Sequence, residues 1–396
     1  MCPLCKESEN KQDIIYESEN FFVKPALGQI GIEGYLLICS KRCFLGLGQL
    51  PYGLFPELEN VKKITRIILS KHYTEPIFFE HGVVDFNKKG GCCIFHAHLH
   101  AVPLDIDIFS DISREFYGRE IEKQLEVKEA YEKKMEYIYY ENQRCSKFLF
   151  ELDRPAPSQY IRQIIAVKTK ATEKWNWRHY PDLDTFRKTV ERLKGCINKE
   201  TKAMYDKYAK QYEEEKKDYI QYIKEDLNLF LKNLKGKKIL DLGSGPGRDS
   251  LLFKQRGFEP VCIDFSKSMV DLCRQKGLEA FEMDMENMNF ENSYFDGVWA
   301  YTSLLHIPKT GIKNVLEKIK GILKDGGIFY LGMKVGSFEG FEEIERYENS
   351  KRFVSLYTKE EIEQMLFGFE ISNFSKVEFD KEHTYMNFMC KSTKSY

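Results

Sequence analysis

The chain has 396 residues, 42% hydrophobic and 31% charged, with 60 Lys and Arg against 61 Asp and Glu for a net charge of -1. That length exceeds one ordinary hydrophobic core and calls for two domains, the composition excludes wholesale disorder, and the balanced charge gives no global field toward nucleic acid or an anionic membrane. No run approaches the ~20 apolar residues of a membrane helix and Met1-Cys2-Pro3-Leu4-Cys5-Lys6 lacks the parts of a signal peptide, so a cytosolic protein is expected, its 11 cysteines reduced or on metal.

Residues 13 to 103 carry short apolar runs broken by glycines, among them Gly34-Tyr35-Leu36-Leu37-Ile38-Cys39 and Pro76-Ile77-Phe78-Phe79-Glu80. The pattern predicts an antiparallel sheet with one or two helices, an α+β arrangement. Near its end, Phe95-His96-Ala97-His98-Leu99-His100-Ala101-Val102-Pro103 places histidines at i, i+2 and i+4, so in an extended strand all three face one way. Three imidazoles on one face lose solvation if buried and repel if charged, which points to a functional role. Residues 113 to 135, rich in Glu and Lys with spaced apolar positions, predict a helical hairpin or an insertion.

The histidine run, with Ala101-Val102 and Pro103 behind it, resembles the histidine-triad family of nucleotide hydrolases and transferases. The resemblance implies that His98 is the nucleophile that forms a nucleotidyl-histidine intermediate and that His100 binds phosphate or supports the transfer. Glu80-His81-Gly82 and Gly90-Gly91-Cys92-Cys93 are similar to neighbouring elements of that family. Pro157 to Arg162 and Trp175 to Arg178 resemble the downstream part of its longer members, where they would close the nucleotide pocket or pack the fold. A branch of the family carries zinc, and Cys2, Cys5, Cys43 and His96 would supply a Cys₃His set, with His81 an alternative fourth ligand. Those relatives usually have histidine at the position of Cys43, so this sequence departs from them there. The resemblance also implies a homodimer formed through the sheet edge.

From Lys199 to Lys235 Lys, Glu and Tyr dominate, with Tyr219, Ile220, Ile223, Leu227, Leu229 and Phe230 at near-helical spacing, and one or two helices are predicted. Strand candidates Lys238–Leu242, Pro260–Asp264, Gly297–Ala300 and Gly327–Leu331 then alternate with helix-length stretches, the pattern of a parallel sheet flanked by helices. Between the first strand and its helix stands Asp241-Leu242-Gly243-Ser244-Gly245-Pro246-Gly247, and the second strand ends in Asp264, placed to accept hydrogen bonds from ribose hydroxyls. By itself the glycine turn also suits a nicotinamide dinucleotide.

Together with Ile263-Asp264-Phe265-Ser266, Asp284-Met285 and Phe295-Asp296-Gly297-Val298-Trp299, that turn resembles a class I S-adenosylmethionine-dependent methyltransferase, an α/β Rossmann-like fold, over residues 200 to 396. The resemblance implies that Asp241, Gly243, Gly245 and Gly247 border the methionine moiety, Asp264 the ribose, and Asp284 with Met285 the adenine. Tyr301, Thr302 and His306 follow the fourth strand on the ligand side of such a sheet, with His306 either a catalytic base or a loop histidine. Met204-Tyr205-Asp206, on to Tyr212, resembles the helix that covers the cofactor or simply packs an aromatic face. Lys334 to Tyr357 is read as a charged, solvated loop, from which Arg346 or Arg352 could bind an anionic acceptor.

The sequence thus predicts a fusion of a histidine-triad domain, residues 1–197, with a methyltransferase domain, residues 198–396. The expected activities are methyl transfer from S-adenosylmethionine to a small or nucleotide-linked acceptor and nucleotidyl hydrolysis or transfer through His98. The rivals are a nucleotide-sensing domain that regulates the methyltransferase, and modification of nucleic acid docked on Lys168 to Arg178, which the interleaved acids disfavour.

Overall fold

The computed structural model describes residues 4, 11–85, 94–215, 219–378 and 383–393. The chain forms two compact units, Met1–Cys196 and Ile197–Tyr396. No helix among the described residues is long and apolar enough to cross a membrane.

The N-terminal unit is built on one sheet of eight strands: β1 (Tyr16–Glu17), β2 (Phe21–Pro25), β3 (Leu36–Ser40), β4 (Pro76–Gly82), β5 (His98–Pro103), β6 (Gly118–Ile121), β7 (Tyr137–Glu141) and β8 (Lys147–Glu151). Their spatial order is β1-β2-β3-β5-β4-β7-β8-β6, and every pairing is antiparallel. The central strands β2 to β5 and β7 are buried along their whole length, so they read as apolar runs rather than as an alternation. The helix Phe55–His72 lies against β2, β4 and β5 and buries Leu58, Val61, Ile64, Ile68 and Leu69. On the opposite face, Tyr160, Ile161, Ile165 and Ala166 of the helix Tyr160–Lys168 join the core around Leu37, Cys39, Phe79 and Val102.

The helix Phe55–His72 also sinks an ammonium into this core. Lys62 Nζ donates to Glu141 Oε2 at 2.6 Å and to Tyr139 Oη at 3.1 Å, while Arg66 Nη2 donates to Glu141 Oε1 at 2.8 Å. Burial alone would raise the Glu141 carboxyl, but Lys62 and then Tyr139 and Arg66 hold it below the ordinary value. The carboxylate therefore contributes stability that is present above the ordinary glutamate range and is lost as the pH falls through its depressed value. Glu141→Ala removes the buried carboxylate shared by Lys62 and Arg66, leaves Lys62 only the more exposed Glu59 at 3.2 Å, and is expected to destabilise this unit by about 3 kcal/mol. Denaturant unfolding followed by Trp175 and Trp177 fluorescence in a Trp299→Phe background measures the loss.

Two expectations change here. Residues 113–135 do not form a helical hairpin: β6 pairs with β8 at the sheet edge, and it is followed by the 3₁₀ turn Gln124–Glu126 and the short helix Val127–Glu132. Charged residues on a short edge strand blunt it against further pairing, and their spacing imitates that of a solvated helix. The three histidines do not share a strand either. β5 begins at His98, whereas His96 sits in a bend whose N–H donates to Ile94 O.

The C-terminal unit holds a seven-stranded sheet made of β9 (Lys238–Leu242), β10 (Glu259–Asp264), β11 (Glu279–Glu282), β12 (Phe295–Tyr301), β13 (Leu323–Lys334), β16 (Phe369–Glu378) and β17 (Thr384–Ser392). A separate hairpin pairs β14 (Glu339–Ile344) with β15 (Ser350–Ser355). The order is β11-β10-β9-β12-β13-β17-β16, parallel from β11 to β13 and antiparallel beyond. The chain winds outward from β9 in one direction through β10 and β11 and in the other through β12 and β13, which opens a crevice at the C-terminal ends of β9 and β12. Helix Ile220–Asn233 packs Ile223, Leu227 and Phe230 on one face against Trp299 and Tyr330, whose rings stack at 3.8 Å; helix Ile312–Ile322 covers the other. The stretch expected as a solvated loop, Lys334 to Tyr357, is the β14–β15 hairpin, held by pairing from Glu339↔Ser355 to Ile344↔Ser350.

Candidate functional site

In the C-terminal unit a cavity of about 700 Å³ lies at the crevice of the parallel sheet. After β9 the chain turns through Gly243 (φ +71°) and Gly245 (φ +53°), while the N–H groups of Gly243 and Ser244 donate to Ile263 O. A Cβ on Gly243 would lie 2.4 Å from Ser303 Cβ, so glycine alone lets the turn pass under the end of β12 and leaves its backbone facing the cavity.

Asp264 closes β10. Its Oδ2 accepts from Gly245 N at 2.9 Å and its Oδ1 from Ser266 N at 2.8 Å, which orients the carboxylate and leaves each oxygen a second lone pair. Burial raises this carboxyl to about 6 and that of Asp241, which accepts from Ser250 Oγ at 2.7 Å, to about 7. Asp284 accepts from Glu286 N at 2.9 Å and starts the 3₁₀ turn Met285–Asn287. The structure brings Asp241, Gly243, Gly245, Asp264, Asp284, Met285 and His306 together on the cavity wall. Gly247 is not on that wall. It stands at the start of the helix Arg248–Gln255 with φ +77°, and a Cβ there would meet Leu278 and Cys273 within 3 Å, so it serves helix packing.

His306, in the 3₁₀ turn Leu304–His306, has both ring nitrogens engaged. Nδ1 donates to Phe353 O at 2.7 Å, since a carbonyl can only accept, which leaves Nε2 to accept from Tyr205 Oη at 2.9 Å. Burial, and after it the Arg352 guanidinium, lower the imidazole to about 3. A ring so placed fixes its neighbours and has no lone pair to spare for a substrate proton. Arg352 is no surface arginine: Nε and Nη2 bind Glu342 Oε2 at 3.0 and 2.8 Å and Nη1 reaches Tyr205 Oη at 3.1 Å.

The sequence singled out Tyr301 and Thr302 for this wall but not Glu342, Asp249 or Tyr385. Asp249 accepts from Trp299 Nε1 at 2.7 Å and from the Tyr219 hydroxyl, and burial raises it to about 7. The Tyr301 hydroxyl is buried with no hydrogen-bond partner among the described residues. Thr302 beside it takes φ +56°, a strained conformation for a β-branched residue. The position of Tyr301 and Thr302 after a parallel strand is what marks both in the sequence.

In the N-terminal unit a second group of titratable side chains sits on one sheet face. His98 and His100 of β5 lie opposite Cys39 and Leu37 of β3, and His100 lies opposite Phe79 of β4. The rings of His98 and His100 are 4.8 Å apart, and His100 stacks on Phe79 at 4.4 Å. His98 Nδ1 donates to His96 O at 2.6 Å, which places its proton there and leaves Nε2 as a bare lone pair. His96 Nε2 donates to Ser40 O at 2.7 Å. His81 Nε2 accepts from Ile161 N at 3.4 Å, at the start of the helix Tyr160–Lys168. Burial lowers His98 to about 4 and His81 to about 3, so both are neutral at physiological pH.

Zinc finds no support in this unit. Among the described residues no group of three or more His, Cys, Asp and Glu side chains could hold a metal ion. Cys43 is exposed and His96 has committed Nε2 to a carbonyl, while Cys2 and Cys5 lie outside the described residues, as do Gly90, Gly91, Cys92 and Cys93.

Comparison with known proteins bears on the second unit. The family described as "Methyltransferase domain" matches residues 239–327. The chain is 32% identical over 103 residues to a sarcosine/dimethylglycine N-methyltransferase of Aphanothece halophytica, a match covering 24% of this chain and 36% of that protein. It is 30% identical over 103 residues to a demethylmenaquinone methyltransferase of Clavibacter sepedonicus, covering 23% of this chain and 39% of that one. Each match thus spans less than two fifths of the relative's length. Among solved structures, the 1,6-didemethyltoxoflavin-N1-methyltransferase of Burkholderia thailandensis aligns over 48% of this chain and 88% of its own with a TM-score of 0.40 and 17% identity. The C-terminal unit carries a class I S-adenosylmethionine-dependent methyltransferase domain.

Proposed function

We propose that the protein transfers a methyl group from S-adenosylmethionine to a small acceptor, and that its N-terminal unit transfers or hydrolyses nucleotidyl groups through His98. The first reading is carried by the oriented Asp264 carboxylate facing a glycine turn at the sheet crevice. The cradle under Gly243, which any side chain would fill, fits a ligand lying close to the backbone. Asp241, Gly243 and Gly245 would hold the methionine moiety, Asp264 the ribose hydroxyls, and Asp284 with Met285 the adenine. Bound there, S-adenosylmethionine supplies an electrophilic methyl group. The chain positions the acceptor and excludes water, with the Tyr301 hydroxyl as the free polar group to orient it. The amine substrates named for the Aphanothece relative make small amines the first acceptors to offer. Calorimetry with S-adenosylmethionine tests the reading, and absence of binding by folded protein would refute it.

Asp264 accepts ribose hydroxyls best when ionised. Affinity for S-adenosylmethionine is therefore expected to rise with pH through about 6 to 7 and to level off above. Stability of the ligand-free unit runs the other way. Both carboxyls are raised by burial, so their contribution is present at low pH and is lost as the pH rises through the same window. Thermal shifts with and without ligand between pH 5 and pH 8, two pH values chosen about the 6-to-7 window, should diverge as the pH rises.

The second reading rests on the 2.6 Å bond from His98 Nδ1 to His96 O. A neutral imidazole whose proton is held on one nitrogen is a nucleophile at the other. A burial-lowered basicity keeps it unprotonated throughout the physiological range. Incubation with dinucleoside polyphosphates, nucleoside phosphoramidates and nucleotide sugars, followed by mass spectrometry, should show release of a nucleoside monophosphate.

A further inference from the structure

Beside His98 the structure fixes a second tautomer. The Tyr35 hydroxyl lies 2.7 Å from His100 Nδ1, and Tyr35, one residue before β3, is wholly buried. The Arg162 guanidinium stands 5.2 Å from the centre of the Tyr35 ring while donating to Gly28 O and Trp175 O, which pins the phenol from the other side. The near-parallel stack on Phe79, inclined by 7°, holds the His100 ring plane. A phenol is a far stronger acid than the N–H of a neutral imidazole, so in a neutral pair the hydroxyl donates and the ring nitrogen accepts. His100 is neutral: burial, with His98, Arg162 and His81 facing it, lowers its basicity well below the ordinary value. Its proton must then reside on Nε2.

We propose that Tyr35 is a positioning residue that fixes His100 as an Nε2–H donor beside the bare Nε2 of His98. The face then offers one nucleophile and one donor, and takes a phosphoryl group whose non-bridging oxygen accepts from His100. The substrate side of this inference rests on the nucleotidyl reading of His98, whereas the tautomer does not. Phosphorus bonding to His98 Nε2 breaks the P–O bond to the leaving group, whose oxygen keeps the electron pair. His100 N–H neutralises charge on the non-bridging oxygen, and solvent supplies the leaving group's proton. A His100 protonated on Nδ1 would instead set a lone pair against that oxygen and repel it.

Full-length protein labelled with ¹⁵N-histidine, observed by long-range ¹H–¹⁵N correlation at neutral pH without ligand, reads the tautomer of each of the eight histidines directly. The expected wild-type result is a single Nε2–H form for His100, and a single Nδ1–H form overturns the proposal. In Tyr35→Phe, His100 is expected to become a mixture of both forms while His98 stays Nδ1–H. A pure Nε2–H His100 in that variant removes Tyr35 from the role. With a processed nucleotide in hand, Tyr35→Phe should lower kcat in proportion to the His100 fraction that leaves the Nε2–H form, about two- to tenfold, with KM changed far less. If the wild type processes no nucleotide, the His98 reading fails and the tautomer spectra still decide on Tyr35.

Discussion

Asp264→Ala is expected to weaken S-adenosylmethionine binding by at least about a hundredfold while the sheet stays folded. The carboxylate is poised to take two charge-assisted hydrogen bonds, each contributing about 1.5–3 kcal/mol in a buried site. Alanine also leaves the Gly245 and Ser266 N–H groups without their acceptor, which loosens the glycine turn that the ligand must lie against. Asp264→Asn separates these effects. Its amide has one acceptor oxygen, so either Gly245 N–H or Ser266 N–H would face an NH₂ group, and the side chain must turn away from one of them. Both variants should therefore lose binding by calorimetry, with near-native circular dichroism. Undiminished binding by Asp264→Ala would remove this carboxylate from the ligand site.

What the sequence makes legible follows from the range of the interactions. The parallel sheet of the C-terminal unit is local: each strand is a run of apolar residues, each helix an amphipathic stretch, and the turn at Gly243 is dictated by backbone geometry that only glycine meets. The wall opposite that turn is not local. Tyr205, His306 and Arg352 lie on a helix, a 3₁₀ turn and a hairpin 101 and 147 positions from Tyr205, and no spacing rule links them. For the same reason His306 reads from sequence as a candidate base, although its hydrogen bonds leave it none of a base's freedom. Lys334 to Tyr357 reads as a solvated loop because its charges are numerous, but Arg352 and Lys334 both turn inward to the Glu342 carboxylate. In the N-terminal unit the strict alternation of histidines overstated the strand. The backbone bends at His96, and that bend is what turns the His96 carbonyl toward His98.

His98→Ala is expected to abolish nucleotidyl transfer, a loss of at least about a thousandfold in kcat/KM, because it removes the nitrogen that carries the nucleotidyl group between the two displacements. The wild type should yield an acid-labile nucleotidyl adduct on His98, captured by rapid quenching and peptide mass spectrometry, and the variant none. Since burial holds His98 near 4, the acid limb of kcat/KM should lie at about that value, well below the limb of an ordinary histidine. Equal turnover by His98→Ala would end the nucleophile reading. If neither protein turns over but both bind nucleotide, and nucleotide alters methyl transfer in both alike, the face of β5 is a sensor. Its neutral, hydrogen-bonded imidazoles would then recognise a phosphate by donation alone. The Nδ1–H of His98 argues for the enzyme, because donation to phosphate needs a proton on Nε2, and the His96 carbonyl holds that proton on the other side of the ring.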